Sequence, residues 1–473
     1  MTTIGEVFVV TSSGSGHLFP CIELCKKLSL RNYKATLVHP SNTSAALDSA
    51  LDDQRHLIGT IEITAPIRGP PTSNTSPQQM GVELEAHLSG RSNGLNLAHP
   101  MCAIIDFQMG WTKHIFWKHK IPVISLFTFG ACAASMEWGA WTSNANEYKL
   151  NPGQSQTIPG LPEETYIAYR DLTRHHNRPA RTSTGGGDGP PKPGDQPPWV
   201  PLIEGSIALM FNTCDGLEHP FINYLENQIG IPVWGVGPLL PDKYWASIKS
   251  NTLIHDLQSR NPNHLTNQSE DRVKQWLDSK AQGSVLYVAF GSELSPTKEE
   301  LKQLACALEE IAYPFIWVTQ NRLNSSENEE KSEGFFGLDD KIGERGLIIQ
   351  GWAPQLLILS HKSIGGFLSH CGWNSTLEAI GFGVPILAWP IRGDQIYNAK
   401  LVVNYLKIGY LALPSGSPEM VKMDLLKGIE KVISDEEIHK RAGILRAKFE
   451  QDFPATLEGA LDKFKDFVKE ARV

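Results

Sequence analysis

The chain has 473 residues, too many for one ordinary core, and this predicts two domains of about 200 residues or more. Hydrophobic residues at 41% and charged residues at 20% describe a globular protein, and a net charge of −8 with no basic stripe excludes a general nucleic-acid binder. No run of about 18 apolar residues occurs, and Met1 to Glu6 lacks a basic segment leading into one, so a cytosolic address without membrane insertion is expected.

Glu6-Val7-Phe8-Val9-Val10 is a β-branched run that opens through Thr11-Ser12-Ser13-Gly14-Ser15-Gly16-His17 into Leu18, Ile22, Leu24, Cys25 and Leu28 at helical spacing; Ala35-Thr36-Leu37-Val38 is the next strand. Gly14-Ser15-Gly16 is not a dinucleotide fingerprint, because the third glycine position is Phe19 and the acidic residue expected after the second strand is His39. His17 stands at the mouth of the turn, on the edge where an open α/β sheet binds ligands. Met101 to Asp106 predicts an apolar strand ending in a carboxylate on the same edge, where it can lie close to His17. Phe107 to Lys118 looks helical, and Ile121 to Thr128 predicts a further strand ending in a hydroxyl. Each polar group also has a plain explanation, Asp106 as a helix N-cap and Thr128 as a turn hydroxyl.

Trp138 to Tyr169 mixes aromatic and helical stretches with Pro159-Gly160-Leu161-Pro162. Residues 177–201, rich in Pro and Gly, are expected as a mobile surface loop, either a lid or a plain insertion. Ile207 to Thr213 and Val233 to Leu239 complete the first half, and polar residues over 242–267 predict the linker. The second half repeats the grammar. Ser284 to Phe290 runs into Gly291-Ser292, a small turn able to donate to phosphate, followed by a helix from Lys298 to Ile311 and a strand at Pro314 to Val318. Seven cysteines, at 21, 25, 102, 132, 214, 306 and 371, show no paired ligand spacing and predict buried free thiols rather than a metal site.

The densest stretch is Trp352-Ala353-Pro354-Gln355 through Asp394-Gln395, with Gly365-Gly366-Phe367-Leu368-Ser369-His370-Cys371-Gly372-Trp373-Asn374-Ser375-Thr376-Leu377-Glu378 at its centre. An apolar strand runs through a small-residue turn into a helix, whose first N–H groups favour an anion such as a phosphate. His370, Asn374 and Ser375 add donors, and Gly372 allows close approach. Ser375-Thr376-Leu377-Glu378 equally fits a capping box. The Trp352 indole suits stacking on a base, and Asp394-Gln395 suits sugar hydroxyls.

Residues 352 to 395 resemble, over their whole ordered length, the signature box of plant family 1 glycosyltransferases, UDP-dependent enzymes that glycosylate small secondary metabolites. The resemblance implies the α/β GT-B architecture: two Rossmann-like α/β/α domains facing a central cleft. Residues 1–241 would bind acceptor, 242–267 link, 268–453 bind the UDP-sugar, and a C-terminal helix over 454–473 cross back. It implies that His17 and Asp106 form the catalytic dyad, that Trp352 stacks on uracil, that Ala353 and Gln355 hold the nucleoside and Glu378 the ribose. The diphosphate falls to Ser292, His370, Gly372, Asn374 and Ser375, and the sugar to Thr128, Trp373, Asp394 and Gln395. Gln395 is similar to glucose-using members, so UDP-glucose is the expected donor co-substrate, with no cofactor, no metal and an inverting reaction. Phe19, Phe107, Trp111, Phe127, Phe129, Met136 and Trp138 offer surface suited to a flavonoid or other phenol, or else ordinary core. Terpenoid alcohols and C-transfer are alternatives, as are a non-catalytic UDP-sugar-binding protein and a nucleotide-sugar hydrolase or epimerase. A monomer is expected. The turn Ser13 to His17 departs from the proline-containing form common in the family but keeps the histidine.

Overall fold

The computed structural model describes residues 3–64, 77–94, 99–173, 192–250, 253, 266–291, 296–319, 339–412, 418–451 and 453–470. The chain divides into two compact units, 1–240 with 453–473, and 241–452.

In the first unit the strands are β1 Gly5–Val10, β2 Tyr33–Pro40, β3 Ile58–Ile63, β4 Cys102–Asp106, β5 Val123–Phe127, the short pair β6 Ser155–Thr157 and β7 Tyr166–Ala168, β8 Ala208–Phe211 and β9 Val233–Gly235. All but the β6–β7 hairpin form one parallel sheet in the order β3-β2-β1-β4-β5-β8-β9. Val7 and Val9 pack on one face with Leu18, Ile22 and Cys25 of the helix Ser15–Leu30, and Phe8 and Val10 pack on the other with Leu84 and Phe116. A strand covered on both faces reads as an unbroken apolar run, which is why these strands are visible in the sequence. The helix Phe453–Glu470 belongs to this unit, where Leu457, Leu461, Phe464 and Val468 join the core that holds Val7 and Ile104.

The second unit carries β10 Val285–Ala289, β11 Phe315–Thr319, β12 Gly346–Gln350, β13 Ile364–Ser369, β14 Ile386–Ala388 and β15 Gly409–Leu411, parallel throughout, in the order β12-β11-β10-β13-β14-β15. Leu286, Val288, Trp317 and Leu368 pack with Leu304 and Leu308 of the helix Lys298–Glu310 and with Leu425 and Ile429 of the helix Pro418–Ser434. Counted within each unit, both sheets run third, second, first, fourth, fifth strand from one edge. Strand order thus reverses between β1 and β4 and again between β10 and β13, and such a switch point opens a crevice for ligands beyond the C-terminal strand ends.

Some expectations change. Residues 242–250, expected as linker, form the helix Asp242–Ser250 of the second unit, with Tyr244 and Ile248 buried and the Tyr244 hydroxyl donating to the Glu378 carbonyl at 3.0 Å. Two apolar residues one helical turn apart suffice to anchor a segment that is otherwise polar. Of the expected mobile loop, residues 177–191 lie outside the described residues, but 192–201 are packed, with Pro193, Pro197 and Trp199 buried. Phe107 to Lys118 is helical as expected, a 3-10 helix, Phe107–Thr112, capped by the Asp106 side chain accepting from the Gln108 amide, followed by the α-helix Lys113–Lys118. Six cysteines are buried and free, while Cys306 is exposed. Among the described residues no helix is long and apolar enough to cross a membrane.

Candidate active site

At the switch point of the first sheet, β1 ends in Val10 and the chain turns at Gly14, φ 110°, into the helix that carries His17 in its first turn. β4 ends in Asp106 on the neighbouring strand. His17 Nδ1 lies 2.8 Å from Asp106 Oδ2, and the Thr128 hydroxyl, just past β5, is 3.1 Å from the same nitrogen. His17 keeps 18% of its side chain exposed and Asp106 none, so the imidazole meets solvent and the carboxylate stands behind it. The Ser12 hydroxyl donates to Asp106 Oδ2 at 2.9 Å, the Ser12 amide at 3.3 Å, and the Gln108 amide to Oδ1 at 3.1 Å. Burial alone would raise the Asp106 pKa, but His17, the Gln108 amide and the Ser12 hydroxyl outweigh it and hold the carboxyl below its ordinary value. Asp106 is therefore both a cap, as its plain explanation has it, and the partner of an imidazole.

Rings surround the histidine. Phe107 is 6.2 Å from the His17 ring, stacks on Phe127 at 5.2 Å and meets Phe129 edge-on at 5.4 Å. Phe127 and Met136, expected as lining, have no exposed surface and are core. Trp138 is half-buried and stacks at 5.9 Å on Trp199, whose indole N–H donates to Glu137 at 2.6 Å. Phe19 instead packs against the core under β1, and Trp111 against the cluster on the opposite face of the sheet. Sequence reasoning missed Trp199, since its Pro-rich surroundings hide a buried aromatic.

At the switch point of the second sheet, Gly291 follows β10 and His370 follows β13. The chain passes through Cys371 at φ 61° to Gly372, which starts the helix Trp373–Phe382 with no side-chain cap. A capping box at Ser375 is thus not formed. The helix begins three residues earlier, and Ser375 and Glu378 both accept instead from the Gln355 amide, at 3.0 and 2.7 Å, while the Tyr287 hydroxyl donates to Gln355 Oε1 at 3.2 Å. The His370 ring lies between two glycines: a Cβ on Gly291 would come within 2.7 Å of Nε2, and one on Gly372 would overlap it. Burial, opposed by the Ala289 carbonyl, pushes the His370 pKa down to about 4, so this imidazole is neutral at pH 7.

The rest of the box closes on the same turn. Trp352 is half-buried just past β12, and Ala353 is buried beside it. The fully buried Asn398 donates from one amide nitrogen to the Cys371 carbonyl at 3.0 Å and to Asp394 Oδ2 at 2.8 Å, linking Asp394 to the Cys371 turn. Gln395 Oε1 accepts from the amides of Ile391 and Arg392 at 3.0 and 3.1 Å. Trp373 is buried in the first turn of its helix. Among the described residues, the buried amide oxygen of Asn374 has no hydrogen-bond partner. Ser292 lies outside the described residues.

An imidazole–carboxylate pair lies at the switch point of one unit, and a helix start whose N-cap is Gly372 lies at that of the other. The family model for UDP-glucoronosyl and UDP-glucosyl transferase matches residues 246–457. UDP-glycosyltransferase 73C3 of Arabidopsis thaliana is 41% identical over 459 residues, covering 90% of this chain and 84% of that protein. Scopoletin glucosyltransferase of Nicotiana tabacum is 29% identical over 450 residues, covering 89% and 88%. The crystal structure of Medicago truncatula UGT71G1 complexed with UDP-glucose superposes with a TM-score of 0.74 at 22% identity, covering 98% of each chain. The chain belongs to plant family 1 of the UDP-dependent glycosyltransferases and has their GT-B fold.

Proposed function

We propose that this glycosyltransferase is an inverting, UDP-glucose-dependent enzyme acting on a hydroxyl of a small aromatic metabolite, with His17 as general base and Asp106 as its partner. The observation that carries this is the 2.8 Å contact between His17 Nδ1 and the wholly buried Asp106. A proton on Nδ1 donated to the carboxylate leaves the lone pair on Nε2, which is then the basic nitrogen, and the carboxylate stabilises the imidazolium that forms. In the step, the acceptor O–H gives its proton to Nε2, its oxygen bonds to the anomeric carbon, and the bond from that carbon to UDP breaks with its electron pair going to the diphosphate. Attack opposite the leaving group turns an α-linked donor into a β-glycoside. A positioned base is worth about 10²–10⁴ in rate. The charge on the leaving diphosphate is met by the helix start at Gly372, by Asn374 and Ser375, and by a neutral His370 acting as a hydrogen-bonding group; no metal takes part.

The donor rests on Asp394 and Gln395. With Gln395 Oε1 held by two backbone amides, its NH₂ group is the part offered to the sugar. UGT71G1 is described with UDP-glucose, and the tobacco relative is named for glucosylating scopoletin. Phe107, Phe129 and Trp138, each partly exposed, supply the aromatic surface for a flat acceptor. Incubation with UDP-glucose and a panel of phenols tests this. UDP release matched by an acceptor carrying one added hexose, with β configuration by NMR, is expected. UDP release without an acceptor-linked sugar would indicate a hydrolase, and binding without UDP release a sugar-binding protein; either defeats the proposal.

A further inference from the structure

The base pair described above sits in a third layer of contacts that the glycosyl-transfer reaction does not itself require. Thr11 still bonds to β2, its amide donating to the Val38 carbonyl at 3.0 Å, so the chain leaving β1 is pinned one residue before Ser12. The parallel register Val10 with Ile105 then brings Ser12 alongside Asp106, and Ser12 is 6% exposed. Its single hydroxyl proton has two acceptors in range, Asp106 Oδ2 at 2.9 Å and Gln108 Oε1 at 3.1 Å. A charged carboxylate is the stronger acceptor. With the proton given to Asp106, the Gln108 amide must turn its NH₂ toward the Ser12 oxygen, and this makes a relay of Gln108 to Ser12 to Asp106 to His17.

Resting on the base assignment above, we propose that Ser12, supported by the Gln108 side chain, is a positioning residue that fixes the Asp106 carboxylate and sets how strongly it holds the His17 imidazolium. The Oδ2 atom accepts from His17 Nδ1, the Ser12 amide and the Ser12 hydroxyl, and Oδ1 from the Gln108 amide. Each donor spreads the carboxylate charge and leaves less of it for the imidazole. Facing Asp106 are His17 and the Cys21 thiol, one turn further along the same helix, with Thr11 beside that thiol and Thr128 beside His17 from the end of β5. Burial, with Asp106 nearby, pushes the Cys21 thiol well up, so it stays neutral across the working pH range and the acid limb of the rate profile belongs to His17.

The sign follows directly. Removing the Ser12 hydroxyl makes the carboxylate a better partner for the imidazolium, so the base loses its proton only at higher pH. In Ser12→Ala, the acid limb of kcat/KM against pH is expected to move up by about half a unit, with kcat lower by roughly threefold to tenfold and both KM values little changed. Ser12→Thr, which keeps the hydroxyl, should return the limb to its wild-type position. Gln108→Leu keeps the backbone donor, changes an exposed residue, and should move the limb the same way by less. An unmoved limb in Ser12→Ala, or in Gln108→Leu should Ser12→Ala fail to fold, overturns the proposal. His17→Ala distinguishes the two levels. If that variant is inactive while the limb stays put in the others, the relay alone is wrong; if it turns over normally, the base assignment fails and the relay with it.

Discussion

Each unit reverses its strand order between its first and fourth strands, yet the two edges are furnished differently. In the first unit, the imidazole that follows β1 is held against a buried carboxylate from β4. In the second, the imidazole that follows β13 lies against Gly291 and Gly372, and burial leaves it neutral. The helix starts differ as well. The amides of Ala131 and Cys132, opening the helix Ala131–Thr142, are taken by the buried carboxyl of Glu218 at 2.9 and 2.8 Å, whereas the helix Trp373–Phe382 follows a glycine N-cap that has no side chain to offer. One topology thus sets an imidazole against a buried carboxylate in the first unit and against two glycines in the second.

Exchanging these features should break the contrast, most severely at the base. His17→Ala is expected to lower kcat/KM for O-transfer by at least roughly a hundredfold while UDP affinity by calorimetry is unchanged. Full turnover would erase the distinction between the two imidazoles. At the other edge, His370→Ala should weaken UDP-sugar binding by about tenfold, and His370→Gln should recover most of it, because the proposed role needs only a neutral donor. A strong rise in donor affinity as pH falls from 8 to 6 would mean that His370 binds as a cation instead. Asn398→Ala removes the link between Asp394 and the Cys371 turn, and a rise of severalfold in the donor KM is expected in steady-state kinetics, with acceptor KM preserved.

The smallest effect concerns Glu218. Burial, opposed by the Thr213 hydroxyl and the two helix amides, raises its pKa to about 7, against an ordinary value of about 4.3 for the unfolded chain. A raised carboxyl contributes stability that is full below the lower value and lost as pH rises through the higher one. Thermal melting should therefore fall by a few degrees between pH 5 and 8, and Glu218→Gln should flatten that slope. An unchanged slope would show that the carboxylate is not what fills the first helix start.

Much of this plan can be read from residue order alone. Buried parallel strands leave apolar runs with abrupt polar ends, and so His17, Asp106 and Thr128 announce themselves. The box from Trp352 to Gln395 is legible as a family signature because its residues lie in one stretch. Ser12 and Gln108 are not, since their meeting depends on β1 lying next to β4, a fact of sheet order across 94 and 96 residues. Asn398 looks like one more helical polar residue until Cys371 turns its carbonyl toward it. The supposed capping box at Ser375 misleads because Glu378 has a better partner in Gln355. Trp199 is masked by prolines, and the buried role of Tyr244 by the charged residues around it.

The helix Phe453–Glu470 has a consequence for how the protein is made. The first unit's core needs Leu457, Leu461, Phe464 and Val468, which leave the ribosome only after all of the second unit has been synthesised. The core of the first unit is therefore incomplete until the second unit has been made. Truncation before Leu457 would injure the residues made first.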